Sequence, residues 1–318
     1  MKTILEIKDL TVHFPINIGT VRAVEGVDLD LRQGEVMGLV GESGCGKSTL
    51  GFSILRLLRP PGRIVRGQII YHGQDIVKMG EKEILALRGN RISMIFQDPL
   101  TSLNPLFRID DQFIETLQTH IRKIKKEEAF SKAESMLESL GISPERLLEY
   151  PHQMSGGMRQ RIMIGMGLIL SPDLLIADEP TTSLDVIVEA QFLDLLNALR
   201  KEFDLTILLI THNLGVVAQL ADRITVMYGG RIAETGPAEA IFGDPLHPYT
   251  QGLLASIPNI RLDQPELKAM PGSPPDLVDP PQGCVFHPRC PRVKEICTQQ
   301  RPSTFSKDGR LVRCWLYG

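Results

Sequence analysis

Gly41-Glu42-Ser43-Gly44-Cys45-Gly46-Lys47-Ser48 decides the fold. A short apolar run, Val36-Met37-Gly38-Leu39-Val40, precedes it. A helical pattern follows from about Lys47 to Leu58, where Arg59-Pro60-Pro61-Gly62 stops it. A strand, a turn of the form G-x-x-x-x-G-K-[ST] and a helix together make a phosphate-binding loop. The glycines let the backbone wrap tightly, so consecutive N–H groups point at phosphate oxygens. The helix N-terminus adds about half a positive charge. Lys47 reads as the cation for β- and γ-phosphates and Ser48 as a magnesium ligand, with Thr49 beside it in the first helical turn. Cys45 reads as a small residue that fits the loop rather than as a redox thiol.

Two more buried strands are expected downstream, Leu174 to Ala177 and Thr206 to Ile210, separated by a helix from about Ile187 to Lys201. Apolar strands alternating with helices imply a parallel sheet covered on both faces. The first of these strands ends in Asp178-Glu179. Behind a phosphate loop, Asp178 is placed for the magnesium shell and Glu179 for polarising a water that attacks the γ-phosphate. The second ends in Thr211-His212, and a polar residue at that end of a parallel strand lies over the ligand crevice. His212 is therefore a γ-phosphate contact, whereas His13, His72, His120, His247 and His287 receive no catalytic role. Gln97 follows the apolar strand Ile92 to Phe96, and its amide suits magnesium or the attacking water.

The 318 residues carry a net charge of -3, with 42% hydrophobic and 23% charged residues. That composition excludes wholesale disorder and a collagen-like chain, and it offers no electrostatic footprint for nucleic acid. The longest apolar run, Ile162 to Leu170, is too short for a membrane helix. The N-terminus Met1 to Leu10 has charges where a signal peptide would be apolar, so a cytoplasmic location is expected. Residues 4 to 40 look β-rich. Most helical signal lies between 83 and 170, including an apolar stripe from Lys126 to Leu140 capped by Gly141, and a helix from Met158 to Leu170. After Gly243 the character changes: eight prolines fall between Pro271 and Pro302. That density reads as an irregular tail that needs cross-linking to be ordered.

The tail holds four of the five cysteines, Cys284, Cys290, Cys297 and Cys314. In a reducing compartment such a group points to a metal or cluster before disulfides. The spacing C-x5-C-x6-C-x16-C departs from the close pairs of zinc sites and from the bacterial ferredoxin run. Zinc, a [4Fe–4S] cluster, and disulfides or free thiols all remain open on spacing alone.

Ser155-Gly156-Gly157-Met158-Arg159-Gln160 lies 24 residues before Glu179. With the phosphate loop, Gln97, Asp178-Glu179, Ser183-Leu184-Asp185 and His212, in that order and spacing, the chain resembles the ATP-binding subunits of ABC transporters. Pro151 to Arg161, Asp244-Pro245-Leu246-His247-Pro248-Tyr249-Thr250 and Gly283-Cys284-Val285-Phe286-His287-Pro288-Arg289-Cys290-Pro291 are similar to the dipeptide and oligopeptide importer branch, so the resemblance covers nearly the whole chain. Nickel and some sugar importers share this tail.

The resemblance implies an α/β, ABC-type P-loop ATPase core (1–97 and 171–243) with an antiparallel β subdomain. It adds an inserted helical subdomain (98–170) and a Cys-containing C-terminal extension (244–318). ATP would be bound by Gly41, Glu42, Ser43, Gly44, Cys45, Gly46, Lys47, Ser48, Thr49 and Asp178 in one subunit. Ser155, Gly156 and Gly157 of a second ATPase subunit, a related chain or another copy, would close the sandwich. Mg2+ would be held by Ser48, Gln97 and Asp178. Cys284, Cys290, Cys297 and Cys314 would hold a [4Fe–4S] cluster, with zinc the alternative.

The implied activity is ATP hydrolysis, with Glu179, His212 and Gln97 catalytic. It would power import of dipeptides or oligopeptides, or alternatively of nickel or another small solute, at the cytoplasmic face of a membrane. Two transmembrane permease subunits would be direct partners and an external substrate-binding protein an indirect one. Leu100 to Phe107 would lie near the groove for a permease coupling helix. A soluble ABC ATPase acting on DNA or the ribosome would need long coiled coils or a second ATPase unit, and only 58 positions separate Gln97 from Ser155, without heptads. Departures from the family pattern are Met154 and Met158 around Ser-Gly-Gly, Asn213 after His212, and Ile18 where an adenine-stacking aromatic residue is common.

Overall fold

Thr3–Ile16 (β1) and Gly19–Arg32 (β2) pair antiparallel. The alternation Leu5, Ile7, then Val27, Leu29, Leu31 buries one face of the pair. The structure, a computed structural model, describes residues 2–96, 103–182, 184–256 and 270–318. The chain forms two compact units, one of residues 1–78 with 209–318 and one of residues 79–208. In the first unit, Val36–Val40 (β3) is buried at every position and runs through the loop into Lys47–Ile54 (α1). The helix ends earlier than its apolar pattern predicts. Arg56 adopts a left-handed φ of 52°, so the ladder breaks before the prolines are reached. Arg63–Tyr71 (β4) and Gln74–Asp75 (β5) complete an antiparallel sheet ordered β2-β1-β4-β5.

The second unit opens with Glu81–Leu87 (α2) and Ile92–Ile95 (β6), followed by Ile109–His120 (α3), Lys126–Ser139 (α4) and Gly156–Leu168 (α5). α4 follows its apolar stripe, and Gly141 takes the left-handed φ of 68° that ends it. Gly165 lets α5 approach closely. A Cβ there would lie 2.7 Å from Leu140 Cδ1 and 3.3 Å from the fully buried Phe113. Leu174–Asp178 (β7) pairs parallel with β6, and Val186–Phe203 (α6) follows, N-capped by Asp185.

Thr206–Thr211 (β8) returns the chain to the first unit. There Leu214–Leu220 (α7) precedes Arg223–Tyr228 (β9), which lies parallel to β3. The pairing is pinned at one end. Arg223 forks onto Asp30 at 3.0 Å and onto Glu35 at 3.1 Å, and Asp222 accepts the Val36 N–H at 2.8 Å. α7 approaches so closely that a Cβ on Gly38 would lie 2.5 Å from Val217 Cγ1. Arg231–Pro237 (β10) pairs antiparallel with β9.

The C-terminal extension is more regular than its prolines predict. Ala238–Gly243 (α8) leads into it, and within it Pro248–Ala255 (α9) and Glu295–Gln299 (α10) are helical. Phe305–Lys307 (β11) and Arg310–Val312 (β12) form a hairpin that continues the first unit's sheet through Glu234↔Val312, in the order β11-β12-β10-β9-β3. The order comes from packing on the core: β10 supplies an open edge, and the rings of Tyr228, Tyr249 and Phe286 meet tilted or edge-on with centroids 4.5 to 5.5 Å apart. Glu234, fully buried, accepts the N–H groups of Leu246 and His247 at 2.9 Å each. Among the described residues no helix is long and apolar enough to cross a membrane.

His247 is the N-cap of α9, its Nδ1 accepting the Tyr249 N–H at 3.0 Å. Burial lowers its pKa from 6.5 to about 4. The unfolded chain therefore binds a proton that the native site rejects, and stability drops as pH falls through that window. Unfolding midpoints measured from pH 7 to pH 4 should decline more steeply in the native protein than in His247→Asn, which keeps a capping acceptor and loses the titration.

Candidate functional site

The loop after β3 is shaped by two close approaches. A Cβ on Gly41 (φ 155°) would fall on the Met227 carbonyl oxygen, and one on Gly46 (φ 106°) on that of Ala23. Glycine is required at both positions on space alone, and at both the φ is one that other residues rarely adopt. Lys47, 4% exposed, donates to the carbonyls of Gly41 at 2.9 Å and Glu42 at 3.0 Å. Its ammonium is thus held at the mouth of the loop, at the first turn of α1. Cys45 Sγ lies 4.0 Å from that ammonium, and Gly230 donates its N–H to the Cys45 carbonyl at 3.0 Å. Ser43 and Gly44 are exposed, and Ser48 and Thr49 are half-buried in α1.

His212, also in the first unit, is exposed just past β8. Asn213, where the family pattern has an acid, N-caps α7 by accepting the Gly215 N–H at 2.9 Å. Phe14 packs its ring against Gly62, and Ile18 is 83% exposed.

The second unit contains the other half of the expected set. Asp178 is 2% exposed at the end of β7. Glu179 turns into a left-handed φ of 47°, which takes it out of the strand and leaves it half-buried. Its carboxylate accepts the Thr182 hydroxyl at 3.1 Å. Adjacent acids thus have different surroundings, as two separate jobs require. Ser155 N-caps α5, accepting the Met158 N–H at 3.3 Å, and it opens the helix at the surface with Gly156 and Gly157. In the same helix, buried Gln160 donates to the Pro180 carbonyl, tying the Ser-Gly-Gly helix to the turn after Glu179. Gln97, Ser183 and Leu100 to Ser102 lie outside the described residues. Leu106 and Phe107 are 81% and 53% exposed.

All five cysteines carry free thiols. Cys284 donates its N–H to the Cys297 carbonyl at 2.8 Å. Burial pushes the Cys284 thiol up to about 11, and the other three tail thiols add to the shift. Burial raises Cys290 and Cys314 too, again with neighbouring tail thiols contributing. Among the described residues no group of three or more His, Cys, Asp or Glu is arranged to hold a single metal ion.

Sequence reasoning missed the residues that hold the phosphate loop from outside. Glu42 donates its N–H to Tyr249 Oη at 3.0 Å, and its carboxylate takes a double contact from Arg289 at 2.8 and 3.0 Å. Both partners lie in stretches that carry the importer resemblance, but nothing local marks them as neighbours of residue 42.

Burial raises the Cys45 pKa, and the Lys47 charge only partly opposes it. Iodoacetamide should therefore modify Cys45 more slowly than an exposed thiol at pH 7.5, with the rate rising as pH increases. Mass spectrometry of the loop peptide measures this directly. Once formed, the adduct should block nucleotide, since the side chain sits inside the loop.

The family model for ABC transporters matches residues 24–182, and that for the C-terminal region of oligopeptide/dipeptide transporters matches residues 233–297. The dipeptide transport ATP-binding protein DppD of Bacillus subtilis is 48% identical over 99% of this chain and 95% of its own length. The oligopeptide transport ATP-binding protein OppD of the same organism is 49% identical over 98% of this chain and 88% of its own. Among solved structures, cbiO1 from Clostridium perfringens, part of the ABC transporter complex cbiONQ, shares 27% identity with a TM-score of 0.66 over 77% of this chain and 92% of its own. The dimeric MJ0796 cassette, at 24% identity, matches the fold with the same score over 74% of this chain and 99% of its own. Similar over nearly its whole length and carrying the loop built around Lys47, the chain belongs to the ATP-binding, ATP-hydrolysing subunits of ABC transporters, in their dipeptide and oligopeptide importer family.

Proposed function

We propose that this ATPase drives import of dipeptides or oligopeptides, working at the cytoplasmic face of a membrane with two permease subunits, a second ATPase subunit and, indirectly, an external peptide-binding protein. The observation that carries the reading is Lys47, a buried ammonium positioned by two loop carbonyls at a helix N-terminus. The near-half identity to dipeptide and oligopeptide transport subunits supports the cargo class.

In this reading the loop N–H groups and Lys47 hold the β- and γ-phosphates of ATP. The Ser48 hydroxyl and the buried Asp178 carboxylate, with Gln97, are oxygen donors suited to Mg2+, which would neutralise phosphate charge. Glu179 accepts the proton of the attacking water as the bond between the γ-phosphorus and the ADP oxygen breaks, and His212 orients the γ-phosphate. Ser155, Gly156 and Gly157 receive the γ-phosphate of the nucleotide held by the second subunit. Exposed Leu106 and Phe107 offer an apolar contact for a permease helix.

The tail cysteines also suit a [4Fe–4S] cluster better than zinc. Tetrahedral zinc needs its sulfurs about 3.8 Å apart, a spacing derived from the usual bond length. The reading rests on the resemblance of residues 283–291 to the cysteine-bearing tail of peptide importers and on the C-terminal-region family match over residues 233–297. The cluster would staple the extension.

Three measurements test these readings. Lys47→Ala should abolish ATP binding, whereas Glu179→Gln should bind ATP and hydrolyse it about 100-fold more slowly or worse. In the reconstituted transporter, peptide-loaded binding protein should stimulate turnover; stimulation by nickel instead would reassign the cargo. Anaerobically purified protein should contain about four irons and as many sulfides per chain, with a broad visible absorption band. Zinc in place of iron would overturn the cluster.

A further inference from the structure

Glu42 is the single acid of the phosphate-binding loop. A carboxylate beside the seat of a polyphosphate repels the ligand, and the loop's own Lys47 contacts the Glu42 backbone rather than its side chain. The charge is met from the C-terminal extension. Arg289 Nη1 and Nη2 donate to Glu42 Oε2 and Oε1 at 2.8 and 3.0 Å, a two-pronged geometry that fits guanidinium to carboxylate. Arg289 is itself fixed. Nε donates to the Pro271 carbonyl at 2.9 Å, Nη1 reaches Tyr228 Oη at 3.3 Å, and the guanidinium lies 5.7 Å from the Tyr228 ring centroid. Its side chain is 6% exposed.

The Glu42 backbone is held from the same side. Its N–H donates to Tyr249, a fully buried residue of the extension, and its carbonyl accepts from Lys47. A single loop residue thus connects the extension to the phosphate-binding ammonium. Arg289 closes the short turn His287–Arg289, where its N–H bonds to the Phe286 carbonyl and Cys290 bonds back to His287.

We propose that Arg289 is a positioning residue for ATP binding: it neutralises the Glu42 carboxylate and turns it away from the phosphates, holding the Glu42 carbonyl where it orients Lys47. Because the contact is made to the loop and not to the hydrolytic acids, its loss acts on nucleotide affinity and leaves the chemical step alone. The inference rests on the ATP site assigned above.

The test is steady-state ATPase kinetics and fluorescent-nucleotide binding on the full chain, assembled with its partner subunits, for Arg289→Gln, Glu42→Gln and the double variant. Arg289→Gln should raise KM and Kd for MgATP about tenfold, equivalent to one lost charge-assisted contact, with kcat changed less than about twofold. Glu42→Gln, which removes the fork and the adverse charge together, should raise KM less than Arg289→Gln, because only the positioning of the carbonyl is lost. The double variant should match Glu42→Gln and recover the part of the affinity that the unneutralised carboxylate costs in Arg289→Gln, a rescue that a merely structural role of Arg289 would not give. Arg289→Lys, which keeps the charge without the fork, should fall between and provides a folded comparison if Arg289→Gln is unstable. Unchanged KM in Arg289→Gln, a fall in kcat alone, or a double variant no better than Arg289→Gln would overturn the proposal. Failure of the native protein to bind ATP would instead overturn the site assignment.

Discussion

Two carbonyl oxygens, those of Met227 and Ala23, press so closely on the phosphate loop that positions 41 and 46 admit no side chain. The rest of the first unit serves this contact. β3 delivers Gly41 at its end, and β9 runs parallel to it with Tyr228 at its own end. The Arg223 fork onto Asp30 and Glu35 pins the opposite end of that pair. The absence of a side chain on Gly38 lets α7 settle against the strand. With its backbone wedged in this way, the loop aims Lys47 through its own carbonyls, and little reorganisation is needed when a phosphate arrives.

The extension is integral to this unit rather than appended to it. Its hairpin continues the sheet at β10, its aromatic residues share a cluster with Tyr228, and buried Glu234 anchors the start of α9 through two N–H groups. Beyond its one short hairpin, a segment with so many prolines has little ladder or core of its own, and it joins both to those of its neighbour. The same packing brings the cysteine-bearing turn against the phosphate loop. An ATPase core and a four-cysteine tail, which read as separate modules in sequence, meet at Glu42.

Local elements were legible wherever the determinants are local. The strand–loop–helix around Gly41 follows from glycine conformation and helix start signals, and α4 begins and ends where its apolar stripe and Gly141 place it. α1 falls short of its pattern because Arg56 takes a left-handed φ of 52°, a backbone choice that periodicity does not register. The acids at 178 and 179 were legible as a pair. So was the turn of the chain that separates them; the left-handed φ of 47° by which Glu179 makes that turn was not.

By itself, the sequence determined the chemistry of this protein: a phosphate loop, a pair of acids after a buried strand, a Ser-Gly-Gly helix start and four clustered thiols. Each is a short string whose meaning rests on backbone geometry or side-chain type within a few residues. Only the tertiary structure decided what holds those strings in place. The carbonyls that crowd the loop come from other strands, the carboxylate at Glu42 meets an arginine 247 positions away, and the tail becomes ordered by extending a sheet that begins elsewhere. Such pairings depend on which surfaces meet when apolar faces are buried, and a linear string carries no local mark of them.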